Sequence, residues 1–279
     1  MNLHLSKTKK WEKTIKYINQ EGTELDKLRL KNALNIPYEN HELENLLLDY
    51  QFSNGSWDYN SSKENRDRIG SLGGTIHCLR WIREFHLEKS PRMILTLSFL
   101  EKIQERDGSF YETEAKLSHS PQKWLQEETI IDRFYFTAAV PMRLFSLRYK
   151  ENPIIEPAIS WLKKKWDDWN IVAGTWYGAW ALLCLYSYGI VLPQTLFEHC
   201  YDYTLNWIPK LPSQPLTWLL DALMAAGYSF QDNLLNKGVE HLKKLQNDNG
   251  IWEDKKYSTT ETTITAVRIV ELYEKIEWD

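Results

Sequence analysis

One local pattern occurs three times in this 279-residue chain and constrains its fold more than any other feature. In each copy a helix-forming segment leads to a glutamine, an Asn-Gly or Asp-Gly pair follows, and an aromatic residue lies two positions after the glycine. The three copies are Gln51–Trp57, Gln104–Phe110 and Gln246–Trp252. A pattern that recurs along a chain indicates repeated structural units, each of which buries its apolar face against the next.

Weaker copies fill the gaps between the clear ones. Trp161–Trp176 keeps the Gly-X-Trp ending but has Trp166 in place of the glutamine, and in Asn206–Pro212 two prolines replace the turn. Trp11–Gly22 is a degenerate first unit. The sequence therefore predicts about six units.

Each unit predicts two helices, of which the first is polar on one face and the second is more apolar. The predicted first helices are Leu5–Gln20, Glu39–Gln51, Pro91–Gln104, Pro153–Trp166, Pro193–Ile208 and Asn233–Gln246. The predicted second helices are Asp26–Leu34, Ile69–Phe85, Thr129–Tyr149, Thr175–Tyr188, Pro215–Tyr228 and Thr259–Ile276. This order predicts an all-α fold, an (α/α)6 toroid of about six hairpins in two concentric rings that forms one domain over residues 1–279. We call the more apolar second helices, which are expected to form the inner ring, the inner helices.

The glutamine and the glycine have a physical role in such a ring. A helix end leaves carbonyl groups without partners, and a glutamine amide can donate hydrogen bonds to them. Glycine accepts the left-handed conformation that turns the chain after a helix. We therefore expect each turn to join its unit to the neighbouring one, with the aromatic residue stacked beside it.

These turns resemble the QW-type repeats of the terpenoid cyclase and protein prenyltransferase superfamily. The resemblance runs from about Trp11 to Ile276 and is strongest at the three clear copies. It implies the α/α toroid of that superfamily. It also implies a ligand that is an isoprenoid.

Composition and charge narrow the class of protein further. The formal net charge is −4, which argues against a nucleic-acid partner. The three widely spaced cysteines, with no signal peptide, predict a reducing, cytoplasmic location. No apolar run approaches the roughly 18 residues that span a bilayer. The expected partner is a small-molecule isoprenoid, with a protein partner or a second copy of the chain left open.

The resemblance also bears on metal binding. In the prenyltransferase branch an Asp, a Cys and a His near the starts of two inner helices hold zinc. The equivalent segments here, Trp176–Trp180 and Ser258–Thr262, carry no such ligands. The adjacent pair His77 and Cys78 supplies too few ligands and is typical of a buried structural pair. We therefore expect no catalytic metal and no cofactor, with Mg²⁺ involved only if a diphosphate is ionised or bound through it.

In the class II cyclase branch, an Asp-X-Asp-Asp-Thr-Ala motif at an inner-helix start carries the acid. The nearest match is Glu261–Ala266, which has Thr263 at the position of the protonating Asp. A second partial match, Asp132–Ala138, is one residue longer. The candidate acids are Asp132, Glu261 and Asp221. Each also has an ordinary interpretation: a helix-start residue paired with Arg133, a first-turn carboxylate, and a buried hydrogen-bonding group, respectively.

Aromatic residues near the starts of the inner helices predict the substrate-binding surface. They are Tyr135, Trp176, Tyr177, Trp180 and Trp218. Individually such residues are more often core packing, but as a convergent set they favour an apolar cavity. Arg133 and the helix N-termini would favour an anion such as a diphosphate. The loop Arg106–Glu128, which contains Trp124, is either a lid over this cavity or an exposed insertion.

These residues are compatible with two main candidate functions and with a third class of enzyme. The favoured one is a terpene cyclase-like enzyme, a lyase or isomerase, that acts on a linear prenyl or prenyl diphosphate substrate with a non-standard acid. The alternative is a catalytically silent toroid that binds an isoprenoid or a partner, as prenyltransferase β subunits do. A glycan-processing (α/α)6 enzyme would need two carboxylates over an aromatic floor, which Asp132 and Glu261 could supply.

Overall fold

The computed structural model describes residues 9–58, 70–112, 129–174 and 176–277, and these residues are mostly helical. The first five α-helices are α1 (Glu12–Glu21), α2 (Glu24–Ala33), α3 (Asn40–Leu48), α4 (Leu72–Glu84) and α5 (Pro91–Ile103). They are followed by α6 (Ile130–Ser146), α7 (Ile155–Lys163), α8 (Trp169–Val172), α9 (Trp176–Ser187), α10 (Gln194–Trp207), α11 (Ser213–Ala225), α12 (Asn233–Lys244) and α13 (Thr259–Glu277). Two short strands, β1 (Trp57–Asp58) and β2 (Gly70–Ser71), pair antiparallel between α3 and α4. The all-α prediction is confirmed.

Every predicted helix has an observed counterpart, and the ends that fall within the described residues differ by a few residues. The predicted start of the first helix, Leu5, lies outside the described residues. The pair β1–β2, which follows the first clear copy, was not predicted, and two further unpredicted elements lie where the weaker copies deviate from the repeat. The helix α8 follows α7, and a 3₁₀ turn at Ile208–Lys210 follows α10, with proline in its first positions. Proline fits there because the first N–H groups of a helix need no intrahelical partner. No helix within the described ranges is both long enough and apolar enough to cross a membrane.

Two compact units can be described separately. The first contains Met1–Leu47 and Asp202–Asp279, and the second contains Leu48–Tyr201. In the first unit α13 packs against α2, α11 and α12. In the second unit α6 packs against α4, α7, α8 and α9. The closure of the hairpins into one double ring stays a prediction.

Burial follows the predicted division into polar and apolar helices. Residues 136–145 of α6 are all buried, as a helix surrounded by other helices requires. The first helix of a hairpin buries only a stripe, which in α12 consists of Leu234, Leu235, Gly238, Val239 and Leu242. This spacing is that of one helix face.

The glutamine of the repeat joins neighbouring hairpins, as predicted. In the second copy the Gln104 amide Nε2 donates to the Gly108 carbonyl at 3.0 Å and to the Ile154 carbonyl, ahead of α7, at 2.9 Å. In the first copy the Gln51 Nε2 donates to the Gly55 carbonyl at 3.3 Å and to the Arg92 carbonyl at 2.9 Å. Gln51 and Gln104 therefore each close their own turn and reach the next hairpin.

The glycines of the three clear copies have the expected left-handed conformation, with φ of +89° at Gly55, +91° at Gly108 and +74° at Gly250. Gly108 also lies against the next hairpin, because a Cβ atom there would be 2.4 Å from the Pro157 carbonyl oxygen. A side chain at this position would therefore meet both backbone strain and a steric clash.

The aromatic residue of each copy is fully buried, and its backbone N–H donates to a threonine of the following inner helix. The N–O distances are 3.1 Å for Trp57 and Thr75, 2.9 Å for Phe110 and Thr137, and 3.1 Å for Trp252 and Thr263. This hydrogen bond fixes the register between each turn and its inner helix.

The weaker copies do not form the same turn. Gly22, after α1, has φ of −83°, outside the left-handed region. After α7 the chain forms the extra helix α8 before it reaches Gly174, so Trp166 does not replace the glutamine in an equivalent turn. The described structure of these copies thus departs from the repeat where the Gln–Gly spacing is lost.

Candidate functional site

Glu261 is buried in the first turn of α13, within the first unit, and forms an ion pair with Arg29 of α2. Arg29 is 1% exposed, so its guanidinium lies in the protein interior. One nitrogen, Nη1, contacts Glu261 Oε2, and Nη2 lies 3.5 Å from Oε1. A fork-to-carboxylate arrangement of this kind stabilises the ionised form of the acid.

Asp26 lies one turn before Arg29 on α2, and the sequence analysis did not single it out. Its Oδ2 accepts the backbone N–H and the hydroxyl of Thr23, both at 3.0 Å, while its own N–H donates to the Thr23 hydroxyl. These contacts form a capping box at the start of α2. The signal that could have found Asp26 is the Thr-X-X-Asp spacing, which marks a helix start.

Burial raises the pKa of the Asp26 carboxyl above its ordinary value. The positive charge of Arg29 opposes this rise, and the negative charge of Glu261 adds to it. Burial and then the negative charge of Glu21 raise the pKa of the Tyr17 phenol on α1, and Asp26 adds a smaller rise. One guanidinium thus lies near two carboxylates in a partly desolvated region. In such an arrangement the two acids differ in pKa, because ionisation of one disfavours ionisation of the other.

Asp221, on α11 of the same unit, is paired with a different arginine. It is 1% exposed, and its Oδ1 contacts the Nη2 of Arg268 on α13. The predicted ordinary role, a buried hydrogen-bonding group, agrees with this contact. The adjacent guanidinium favours the ionised carboxylate, which is a poor proton donor.

Asp132 participates in the cap of α6 in the second unit. The Thr129 hydroxyl donates to Asp132 Oδ2 at 2.6 Å, and the Asp132 N–H donates back to that hydroxyl at 3.1 Å. The carboxylate is half-buried at the positive end of the helix, where a negative charge is stabilised. This geometry matches the helix-start role that the sequence analysis gave as its ordinary interpretation.

Arg133 is directed to the neighbouring repeat turn. Its Nη1 lies 4.0 Å from Asp107 Oδ2, and its guanidinium lies 4.6 Å from the centre of the Tyr111 ring. Although partial burial opposes it, hydrogen bonds from Ser109 and Trp161 and the charge of Arg133 lower the pKa of Asp107. Arg133 therefore already interacts with an ionised carboxylate of its own chain.

Two of the inner-helix N-termini are occupied by carboxylates of the chain itself. Glu112 accepts the N–H groups of Leu72 and Gly73 at 3.1 and 2.8 Å, at the start of α4. Asp254 accepts the N–H of Gln214 at 3.2 Å, in the first turn of α11. A helix N-terminus attracts anions, and here carboxylates of the same chain occupy that position and accept the N–H groups. These two helix starts are therefore not open to a diphosphate.

Three of the predicted aromatic residues of the second unit lie together. The ring centroids of Tyr135 and Tyr177 are 5.0 Å apart, and those of Tyr177 and Trp180 are 6.2 Å apart. Tyr135 and Tyr177 are half-buried, whereas Trp180 is fully buried. We call these three residues the aromatic cluster. Such rings offer an apolar surface with negative faces.

The other predicted contacts are distributed differently. Trp218, in the first unit, packs edge-on against Tyr257 with centroids 5.1 Å apart. The Trp176 side chain and residues 113–128, which include most of the predicted lid and Trp124, lie outside the described residues. The first unit thus brings together Glu261, Arg29 and Asp26, and the second unit brings together the aromatic cluster.

The threonine contacts correct the alignment of the two partial motifs. Both partial motifs end in Thr-Ala, so matching them by sequence aligns Thr137-Ala138 with Thr265-Ala266. In the structure Thr137 and Thr263 are equivalent, because each accepts the N–H of the repeat aromatic residue. Thr263, at the position of the protonating Asp, therefore has a structural role.

His77 and Cys78 are both in packing contacts. The His77 ring lies edge-on to Trp81 at 5.5 Å, and the buried Cys78 Sγ lies 3.8 Å from the Asp58 carbonyl oxygen. Cys78 is buried and His77 is half-buried, so both have a packing role, although only the cysteine is fully buried as expected. In the parts of the chain that the structure describes, no group of three or more His, Cys, Asp or Glu side chains is arranged to hold a metal ion.

A surface cleft of about 410 Å³ lies in the first unit, apart from the predicted residues. Its lining includes the apolar residues Leu205, Ile208 and Pro209 and the charged residues Lys237, Glu240 and Lys244 of α12. It is open to solvent and has no carboxylate cluster.

Comparison with known proteins adds to this geometry. The fold matches the structure of the type II terpene cyclase MstE from Scytonema with a TM-score of 0.53 and 15% identity, covering 90% of this chain and 88% of that one. The chain has the fold of a type II terpene cyclase. A variant of MstE in complex with geranylgeranyl dihydroxybenzoate, its substrate, matches with the same TM-score and 16% identity over 89% of this chain and 86% of that one.

The terpene cyclase fold is accompanied by a sequence relationship. The chain is 27% identical over 187 residues to a probable squalene–hopene cyclase of Sinorhizobium fredii (strain NBRC 101917 / NGR234). The match covers 66% of this chain but only 23% of that relative, so the chain spans about a quarter of its length. No family model matches the chain. The resemblance to the terpenoid cyclase superfamily is confirmed.

Proposed function

We propose that this chain is a terpene cyclase-like enzyme that converts a linear isoprenoid into a cyclic product by protonating an alkene. The observation that carries the proposal is the buried acid cluster at the start of α13, where Glu261 pairs with Arg29 beside Asp26. The fold and the sequence relationship support it. Alkene protonation needs a carboxylic acid kept neutral away from water, and buried carboxyl groups are the usual means.

The aromatic cluster supports the second requirement of this chemistry. Protonation leaves a positive charge on carbon, and aromatic faces stabilise a cation within about 6 Å of the ring centroid. Tyr135, Tyr177 and Trp180 provide such faces from α6 and α9. No cofactor is required by a reaction in which only protons and carbon–carbon bonds rearrange.

The contacts of Glu112 and Asp254 favour a substrate whose head group is not a diphosphate. Both carboxylates occupy inner-helix N-termini, and Arg133 interacts with Asp107. A prenyl chain on a neutral or aromatic head group, such as the substrate of MstE, suits these residues better than an anion of high charge.

The test is turnover by the purified protein of three substrates: geranylgeranyl dihydroxybenzoate, geranylgeranyl diphosphate and squalene. We expect a product from the first that has the mass of the substrate and a different chromatographic retention, because cyclisation is an isomerisation. Tyr177→Leu should lower the yield or change the product pattern. Phe197→Leu is the matched control, since Phe197 packs with Tyr186 and Tyr201 outside the aromatic cluster. If none of the three substrates is converted, the enzyme proposal is wrong.

A specific observation favours the alternative of a silent isoprenoid-binding protein. Thr263 occupies the position of the protonating Asp and binds the Trp252 N–H. Under this alternative geranylgeranyl dihydroxybenzoate would bind and raise the melting temperature but would be recovered unchanged.

A further inference from the structure

Asp26 differs from the other acids of the site in the way its two oxygens are used. Both described hydrogen bonds to its carboxyl group end on Oδ2, from the N–H and the hydroxyl of Thr23. Oδ1 accepts no described hydrogen bond and can therefore carry a proton without breaking the capping box. By contrast, Glu261 has both oxygens directed at the guanidinium of Arg29.

The charges around Asp26 favour one proton in the cluster. The groups that face it are Arg29 on its own helix, Glu261 on α13 and Tyr17 on α1. With Glu261 ionised and Arg29 charged, the cluster is neutral only if Asp26 is protonated. Arg29 and Glu261 are almost fully buried and Asp26 is half-buried, so an additional negative charge there is solvated less well than at the surface.

We propose that Asp26 is the proton donor of the cyclisation and that Arg29 keeps Glu261 ionised as its electrostatic partner. This inference rests on the proposed function. It assigns the acid to a residue on α2, outside the Asp-X-Asp-Asp-like segment at the start of α13.

The proposed step is balanced. The O–H bond at Asp26 Oδ1 breaks, a C–H bond forms at one alkene carbon, and the positive charge moves to the other carbon. The Asp26 carboxylate that results is stabilised by Arg29 one turn away. After ring formation the carbocation loses a proton to water, and Asp26 regains one from solvent, so substrate and product are isomers.

The first measurement does not depend on turnover. Protein labelled with ¹³C at the aspartate carboxyl carbons is titrated by NMR, and Asp26→Asn assigns the Asp26 resonance. We expect Asp26 to titrate above the ordinary aspartate value of about 3.9. Glu261→Gln should move its midpoint down, because a negative charge beside it is removed. A midpoint at or below the ordinary value would overturn the proposal.

The second measurement is turnover of geranylgeranyl dihydroxybenzoate. Asp26→Asn should lower kcat by about 100-fold or more with little change in KM, the range expected for a lost general acid. Thr23→Ala removes the capping hydroxyl and keeps the carboxyl group, so it should retain most of the activity. Equal loss in the two variants would show that only the cap matters, and full activity in Asp26→Asn would exclude it as the donor.

The two proposals fail in different ways. If the wild-type protein converts no substrate, the proposed function and the donor role fail together, whatever the titration shows. If the wild-type protein is active but Asp26→Asn is equally active, the cyclase function stands and the donor assignment is wrong.

Discussion

The amide nitrogen of Gln104 lies 2.9 Å from the carbonyl oxygen of Ile154, 50 residues further along the chain. The same nitrogen donates to Gly108 within its own turn. The side chain therefore links one hairpin to the next through a single amide group. Gln246 closes its own turn in the same way, at 3.1 Å from the Gly250 carbonyl oxygen, and no second acceptor is described for it.

This difference predicts unequal costs for removing the two glutamines. Gln104→Ala loses two hydrogen bonds and should lower the free energy of unfolding by about 2 kcal/mol, while Gln246→Ala loses one and should lower it by about 1 kcal/mol. Urea denaturation of both variants measures the difference. Equal destabilisation would show that the link to Ile154 contributes nothing to stability.

Alanine substitutions at Gly108 and Gly189 distinguish the stability cost of backbone strain from that of a steric clash. Both have positive φ, +91° and +97°, but a Cβ would lie 2.4 Å from the Pro157 carbonyl oxygen at Gly108 and would meet nothing within 4 Å at Gly189. Gly189→Ala should cost about 1–2 kcal/mol from the left-handed conformation alone. Gly108→Ala should cost clearly more, because the two hairpins must move apart. Thermal unfolding of the two variants compares them, and a similar loss in both would contradict the close approach.

Thr263→Val keeps the shape of the side chain and removes the acceptor of the Trp252 N–H. Both residues are fully buried, so that N–H would be left without a partner. We expect a loss of about 1–3 kcal/mol in the free energy of unfolding. Thr195→Val, at an exposed position in the first turn of α10, is the control and should stay within about 0.5 kcal/mol. A neutral Thr263→Val would mean that this register contact is dispensable.

The raised pKa of Asp26 predicts how stability depends on pH. The folded protein holds the Asp26 proton to a higher pH than the unfolded chain does. The contribution is fully present below the ordinary aspartate pKa and is lost as pH rises through the raised value. Asp26→Asn has no proton to lose, so its stability relative to the wild type should increase across that interval and then level off.

Urea unfolding at a series of pH values tests this sign. Asp202→Asn, at an exposed position of α10, provides the comparison at a carboxyl group outside the cluster. A relative stability of Asp26→Asn that falls as pH rises would mean that Asp26 is stabilised as a carboxylate.

The sequence predicted the helices well because the repeat supplies the same information several times. Each Gln–Gly–aromatic turn marks the end of one helix and the start of the next, so α3 to α6 and α12 to α13 were placed within a few residues. Where the spacing is lost, after α7 and after α10, the structure forms α8 and a 3₁₀ turn that no repeat could predict.

The candidate site was harder to predict from the sequence than the helices, because its residues come from distant segments of the chain. Glu261 could be found by its likeness to a motif, but Asp26 and Arg29 come from a helix more than 200 residues earlier, and their roles depend on the packing of α2 against α13. The raised pKa of Asp26 follows from burial and from charges on other elements, which spacing within one segment does not show. The aromatic cluster was predicted because its residues occupy equivalent starts of neighbouring inner helices.

The three equivalent threonines have a consequence for how catalysis could arise in such a repeat protein. Thr75, Thr137 and Thr263 are each fully buried, and each already accepts a backbone N–H from the aromatic residue of the preceding turn. In the class II motif that the last hairpin resembles, an acid occupies the position of Thr263. A single substitution at one of these equivalent positions could therefore add or remove an acid while the rest of the fold stays the same. The repeat thus provides several buried positions at which an acid could arise, and only one of them is needed.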